Sequence, residues 1–183
     1  GHRTGRHVGG DRNDAMSAHC HQRERGIVVA AVDREIGRQA GQQFDAPLPS
    51  EPQPIDALAP RTTYARQLWA GARLGPQAAE DVSLEQVSAR NVSFQGAELP
   101  LVQLADCRFE AGDFASCTLD KAYMRRVELI GCRLLGATLA EADLRDVLFA
   151  RCNANLAHFW NTRFRAVRFE HCTLHEASFD GAD

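Results

Sequence analysis

The sequence has no long apolar run and no strong excess of charge of either sign. The longest apolar stretch near the N-terminus, residues 27–32, has six residues, too few for a membrane span or a signal-peptide core. Residues 1–80 carry a net charge of +1 and residues 81–183 a net charge of −4. Neither part is basic enough to predict direct binding of nucleic acid through its phosphates. We therefore expect a soluble cytoplasmic protein that binds neither nucleic acid nor a membrane.

The first third of the chain lacks a sustained hydrophobic period. The Pro-rich stretch 46–54 is typical of a stiff linker, so residues 1–60 are predicted to be a disordered or linker-like tail. Residues 1–15 are interpreted as a non-native segment, such as a tag or upstream translation. Residues 27–40 could form a short helix. Residues 62–74 fit a short amphipathic helix that ends before Gly75. We therefore expect a capping helix and a connection over residues 61–81.

From Val82 onward, every fifth residue is large and apolar. Eighteen of the twenty residues in this phase are Leu, Phe or Met, and eight of the nine Phe of the chain fall in it. The series is Leu84, Ala89, Phe94, Leu99, Leu104, Phe109, Phe114, Leu119, Met124, Leu129, Leu134, Leu139, Leu144, Phe149, Ala154, Phe159, Phe164, Phe169, Leu174 and Phe179. A period of five fits neither a helix nor a plain strand and indicates a repeat architecture.

The residues two positions earlier are small or β-branched, from Val82 through Cys107 and Cys132 to Ala182. Residues i and i+2 of an extended chain share a face. The large and the small series must therefore both point inward, which predicts a solenoid with a filled interior.

Units such as Ala142-Asp143-Leu144 and Ala177-Ser178-Phe179 resemble those of the pentapeptide-repeat family. The resemblance implies an all-β fold, a right-handed four-sided β-helix with one pentapeptide per side and four sides per coil. Residues 82–183 would form about five coils, roughly 24 Å long at the usual strand spacing. Because the phase stops at Asp183, this unit was expected to be truncated at its C-terminus and to associate end to end.

Ala154 breaks the large series. Either the wall has a shallow dent at Ala154, or a local bulge turns Leu156 inward. The dent is favoured because Phe159 resumes the original phase.

Five cysteines occupy the small inward slot: Cys107, Cys117, Cys132, Cys152 and Cys172. Three of them are twenty residues apart and would stack within disulfide range. Because Ala and Val fill the equivalent slots elsewhere, packing explains these thiols better than a metal or a disulfide.

No other cluster predicts an enzyme, a cofactor or a metal site. His19-Cys20-His21 has adjacent ligands and no second cluster. His158, His171 and His175 occupy outward slots, and flat walls around a filled interior leave no cleft for a substrate.

Sorting the outward residues by side singles out the fourth side. It places acids against a single lysine and carries an aromatic residue in an outward slot. The predicted partner-binding residues are Trp160, His158, Glu98, Asp120, Glu141 and Asp180. An exposed aromatic anchor favours protein docking; the alternative is a solvated face with Trp160 packed under the N-terminal tail.

The leading hypothesis is a non-catalytic scaffold that binds a protein of unknown identity. The resemblance also implies an alternative, because well-understood family members mimic DNA and engage DNA gyrase. A rod of this length would then need about fourteen negative charges, against a net −4 in residues 81–183. A second alternative is an accessory repeat module of a larger multidomain protein.

Overall fold

The computed structural model describes residues 48–183, which contain nine parallel strands and no helix. The strands are β1 Thr63–Ala65, β2 Leu68–Ala70, β3 Ser83–Glu85, β4 Ser88–Arg90, β5 Gln103–Glu110, β6 Tyr123–Ile130, β7 Asp143–Ala150, β8 Arg163–Arg165 and β9 Arg168–Glu170.

All strand pairs are parallel and hold a register of twenty residues. Leu104 pairs with Met124 and Met124 with Leu144 on one wall; single bridges such as Asn153 to Thr173 continue the register on the others. The chain is therefore an all-β parallel solenoid with twenty residues per turn, as the period of five predicted. We label the pentapeptides of each turn side A to side D; in the turn 142–161 they are 142–146, 147–151, 152–156 and 157–161.

The interior is formed by the two series identified in the sequence. Phe149, Leu144 and Phe159 are fully buried, and so are the small residues Ala137 and Ala157. Aromatic rings of successive turns also stack on one another in the core. Phe94, for example, stacks on Phe114 with ring centroids 4.8 Å apart. The burial of both series confirms the predicted inward phases.

Each corner of the solenoid requires a left-handed backbone residue. The fifth residue of nearly every pentapeptide has a positive φ, as at Gln86, Asn91 and Asp146. Its N–H donates to a carbonyl of the next turn, as from Gln86 to Ala105 at 2.9 Å. This inter-turn bond lets many residue types other than glycine occupy the corner despite its strain.

The predicted capping helix is wrong, because the segment forms β1 and β2. Thr63 pairs with Ser83 and Leu68 with Ser88, so residues 62–81 are a further turn ahead of the five expected. Tyr64, Leu68 and Trp69 would also share one face of a helix, which is why the sequence of this segment fits either structure. Tyr64 and Trp69 are in fact five apart and occupy successive large slots.

The end of the predicted tail packs against this first turn. Leu58 is buried and Ile55 lies against the core. The Gln53 N–H donates to the Leu68 carbonyl at 2.7 Å, and the Leu68 N–H donates to Gln53 Oε1 at 2.9 Å. Residues 53–58 therefore cover the edge of the first turn. The predicted helix 27–40 lies outside the described residues.

Ala154 marks a dent in the wall. Ala154 is fully buried while Leu156 is 45% exposed, and Phe159 stays inward. The bridges of Asn153 to Arg133 and Thr173 keep the register of twenty through this point. The backbone therefore runs on in phase, without a bulge.

Candidate partner-binding face

Side D carries all six residues predicted to bind a partner, but it distributes them over several turns. His158 and Trp160 lie on the turn 142–161, and Asp180 lies on the next turn. Asp120 lies on the turn 102–121, and Glu98 lies one turn earlier still. Because the turns stack in register, Asp180 is brought to Trp160 whereas Glu98 is not.

Trp160 is an exposed aromatic side chain held in a fixed orientation. It is 43% exposed, and its indole Nε1 donates to Ser178 Oγ at 2.8 Å. The His158 ring lies 4.5 Å from the indole, centroid to centroid, at 34°. We call His158, Trp160, Ser178 and Asp180 the Trp160 patch.

Ser178 and Asp180 complete this patch from the following turn. Ser178 Oγ accepts the indole proton and donates its own to Asp180 Oδ2 at 3.0 Å. Ser178 was not predicted as a site residue. The signal was in the sequence, because Ser178 follows His158 by twenty residues and must stack on it.

His158 is partly withdrawn from solvent. It bridges Thr138 and Ser178 in the register of side D. Its Nδ1 and the Oγ1 of Thr138 are both buried, and neither has a hydrogen-bond partner among the described residues. His158 therefore lies beside the indole with its Nδ1 edge buried and the rest of its ring half-buried.

Two of the remaining acidic residues, Asp120 and Glu141, have partners within the rod. Asp120 Oδ1 accepts the Ala140 N–H at 3.0 Å, which ties two turns together. Glu141 Oε2 lies 3.7 Å from Lys121 Nζ in an exposed ion pair, a contact of little energetic weight. Side D thus presents an aromatic patch with scattered acids around it.

Within residues 48–183, no group of three or more His, Cys, Asp or Glu side chains could hold a metal ion. His19-Cys20-His21 lies outside the described residues.

The five inward cysteines are free and buried. Burial raises the pKa of the Cys107 and Cys117 thiols to about 12. The Cys107 thiol also donates to the Leu84 carbonyl at 3.2 Å, and Thr162 makes the same bond from its small slot to Leu139 at 2.6 Å. All five thiols fill the interior, and those of Cys107, Cys132, Cys152 and Cys172 also donate to carbonyls of the preceding turn.

The comparisons with known proteins agree with the repeat seen in the fold. Residues 122–183 match the family model described as a pentapeptide repeat region. Residues 122–183 of this parallel β-solenoid are thus a pentapeptide-repeat region. No curated protein sequence matches the chain, and none of the described residues forms a helix long and apolar enough to cross a membrane.

Three solved structures that this chain resembles are distant from it in sequence. One is HetL, involved in heterocyst differentiation regulation, from the cyanobacterium Nostoc sp. strain PCC 7120; it is 16% identical over 69% of this chain and 67% of its own, with a TM-score of 0.35. Trypsin-treated QnrB1, a plasmid-mediated fluoroquinolone resistance protein, is 15% identical over 70% of each chain, with a TM-score of 0.32. Rfr23 from the cyanobacterium Cyanothece 51142 is 17% identical over 70% of this chain and 81% of its own, with a TM-score of 0.20. At this distance none of them transfers a function.

Proposed function

We propose that this pentapeptide-repeat rod is a non-catalytic scaffold that binds another protein through side D, with Trp160 as the anchor. The observation that carries the proposal is the fixed, exposed indole of Trp160. Exposed tryptophans that are already ordered lose little conformational freedom on binding, and such residues dominate the affinity of protein interfaces.

The surroundings of Trp160 also suit a docking surface. Leu156, on the same turn, is 45% exposed and adds a second apolar side chain. Ala140, twenty residues earlier, occupies the slot of Trp160 on the preceding turn, so only a methyl group stands beside the indole there. The surface beside that edge of the indole ring is therefore open to a side chain of a partner.

The ion pairs of the rod disfavour mimicry of DNA, the alternative implied by the family resemblance. A DNA mimic must present uniform negative charge, yet many carboxylates here are neutralised by arginines of neighbouring turns. Arg126 Nε and Nη2 bond both carboxylate oxygens of Asp106. Arg108 Nη1 bonds Glu128 at 2.8 Å. We therefore expect no inhibition of gyrase supercoiling and no protection from quinolones at micromolar protein.

Comparison of Trp160→Ala with Leu101→Ala tests the proposal. Leu101 is 46% exposed and sits on a corner of side D three turns before Trp160, so it controls for the loss of an exposed apolar side chain. Proteins retained by the immobilised wild-type chain are identified, and the affinity of each is measured with both variants. We expect Trp160→Ala to cost about 2 kcal/mol or more, roughly thirtyfold in Kd, and Leu101→Ala to leave Kd nearly unchanged.

Equal affinity of both variants for every retained protein would refute the role of Trp160. Gyrase inhibition that survives Trp160→Ala but is lost when Asp120, Glu141 and Asp180 are neutralised would favour DNA mimicry instead. If the rod is an accessory module of a larger protein, the partner would bind through the same face, and the same pair of variants applies.

A further inference from the structure

Side A carries a column of arginines on successive turns. Register pairing places Ala105, Arg125, Arg145 and Arg165 in line on successive turns. Arg163 stands in the neighbouring column, in register with Asp143. We call Arg125, Arg145, Arg163 and Arg165 the arginine ladder; its members on successive turns are separated by about 4.8 Å, the spacing between strands.

Two carboxylates lie in register with the ladder, because Asp143 pairs with Arg163 and the backbone of Asp183 bonds the residues on either side of Arg163. Asp143 accepts two hydrogen bonds from Arg145, at 2.8 and 2.7 Å, and these bonds hold the pKa of Asp143 below its usual value. Arg125, Arg163 and Arg165 are exposed and make no ion pair with any residue of 48–183. The four arginines Arg125, Arg145, Arg163 and Arg165 against the two side-chain carboxylates of Asp143 and Asp183 leave an excess of two positive charges.

Several other arginines of the rod form ion pairs with nearby carboxylates. Arg126, on the adjoining corner, is bonded by Asp106, and Arg90 contacts Glu110 at 2.9 Å. The excess charge of the ladder is therefore a local feature, and it contrasts with the net −4 of residues 81–183.

The fold does not require arginine in these positions. The same outward column holds Glu85 and Ala105 on earlier turns, so the slot accepts an acid or a methyl group equally well. Like charges placed directly opposite each other on a sheet are destabilising. Three stacked arginines therefore oppose folding, and a bound anion would remove that repulsion.

We propose that the arginine ladder binds a short acidic segment of another polypeptide. A guanidinium group donates two parallel hydrogen bonds to a carboxylate. Arg125, Arg163 and Arg165 have free donors for this purpose. Arg145 lies over the Tyr123 ring, 5.4 Å from its centroid, which fixes it in the middle of the ladder.

The shape of the charged area favours an acidic peptide over a nucleic acid. The ladder covers three turns, and the same column becomes acidic at Glu85, two turns before Arg125. Asp106 and Asp146 border it on the next corner. A long polyanion lying along the rod would extend past the ladder and approach these carboxylates, which would repel it. A segment with three or four acids is short enough to contact the ladder alone.

The proposal is tested with a fluorescent decaglutamate peptide and a duplex DNA of twenty base pairs carrying the same dye. Binding of both probes to the full chain is measured by anisotropy at several salt concentrations. The test variant is Arg125→Gln/Arg163→Gln/Arg165→Gln. The matched control is Arg66→Gln/Arg73→Gln/Arg151→Gln, which removes three exposed arginines that, like those of the ladder, make no ion pair within residues 48–183. Thermal unfolding checks that both variants remain folded.

We expect the ladder variant to bind decaglutamate about tenfold or more weakly than the wild-type chain, from the loss of charge-assisted hydrogen bonds. The control should stay within about twofold, since it loses only long-range attraction.

Equal losses in both variants, or no binding of decaglutamate by the wild-type chain at millimolar peptide, would overturn the proposal. Tighter binding of the duplex than of the peptide, dependent on the ladder, would replace it with a nucleic-acid site. Because the ladder is on side A, Trp160→Ala should leave decaglutamate binding unchanged, which separates this proposal from that for side D.

Discussion

Phe149 and Phe169 stack face to face across two turns, with ring centroids 4.6 Å apart and planes 6° apart. Both rings also meet Phe159 edge to face. This aromatic cluster connects the turn 142–161 with the turn 162–181. The stability of the rod at this point therefore depends on large side chains in the inward slot.

Phe149→Ala should destabilise the rod by about 3–5 kcal/mol, because it removes a fully buried ring from a core that cannot collapse around the cavity. Glu85→Ala is the matched surface change and should stay within about 0.5 kcal/mol. Urea unfolding measures both. Asp146 is a poorer control, since its φ of 53° adds a backbone cost to the loss of charge. Similar midpoints for Phe149→Ala and Glu85→Ala would contradict the inward phase.

The two tryptophans should report opposite environments. Trp69 is fully buried and Trp160 is 43% exposed. Trp69→Phe leaves only the exposed indole, which should emit at longer wavelength and be quenched efficiently by acrylamide. Trp160→Phe leaves the buried indole, which should resist quenching. A protected Trp160 would mean that the segment before residue 48 covers it, and the docking surface would then be unavailable.

The inward thiols should make the rod less stable at alkaline pH. A thiol of the unfolded chain ionises near pH 8.5, whereas burial raises the pKa of Cys107 and Cys117 to about 12. A raised pKa in the folded state means that stability is full below about pH 8.5 and is lost as the pH rises toward 12. Between pH 8 and pH 10 each thiol should cost up to about 2 kcal/mol.

Reducing-buffer urea titrations at pH 8 and pH 10 measure this loss. Cys107→Ala/Cys117→Ala is the control, since Ala fills equivalent slots elsewhere. The double variant should lose less stability than the wild type over the same interval. Identical losses would show that these thiols ionise freely in the folded state. Thiol labelling at neutral pH should then be fast at Cys107, whereas our account requires it to be slow.

The last turn should support association of the 183-residue chain with itself. Phe164, Leu174 and Phe179 are only partly buried, and within residues 48–183 both β8 and β9 pair with β7 alone. Unpaired strand edges beside apolar side chains are templates for stacking. Sedimentation velocity should show a coefficient that rises with concentration. A constant monomer coefficient up to high micromolar concentration would count against it.

Much of the fold was predictable because one constraint repeats without interruption from Val82. The first turn was missed because its slots are irregular. Gln67 and Gln77 occupy small slots, where Gln77 Oε1 accepts the Leu58 N–H at 2.9 Å, and Ala79 occupies a large one. Polar residues in small slots, and a small residue in a large slot, therefore obscure the period of five in the first turn.

The candidate sites were less predictable because they depend on neighbours twenty residues apart. The sequence showed that Trp160 points outward, but the hydrogen bond to Ser178 that orients it required the stacking of turns. The five arginines and four acids of side A in residues 82–166 sum to only one positive charge. Only the register shows Arg125, Arg145 and Arg165 in one line, with Asp143 bonded to a single member.

Site-specific photocrosslinking tests the central claim, that a protein partner docks on side D, most directly. A photoreactive phenylalanine analogue replaces Leu156, which leaves Trp160 in place, and in a matched chain it replaces Ser88 on side B. We predict that irradiation in cells crosslinks one discrete protein to the Leu156 position and none to the Ser88 position, and that Trp160→Ala abolishes the product. The same crosslinked protein at both positions, or a product that persists in Trp160→Ala, would contradict the account.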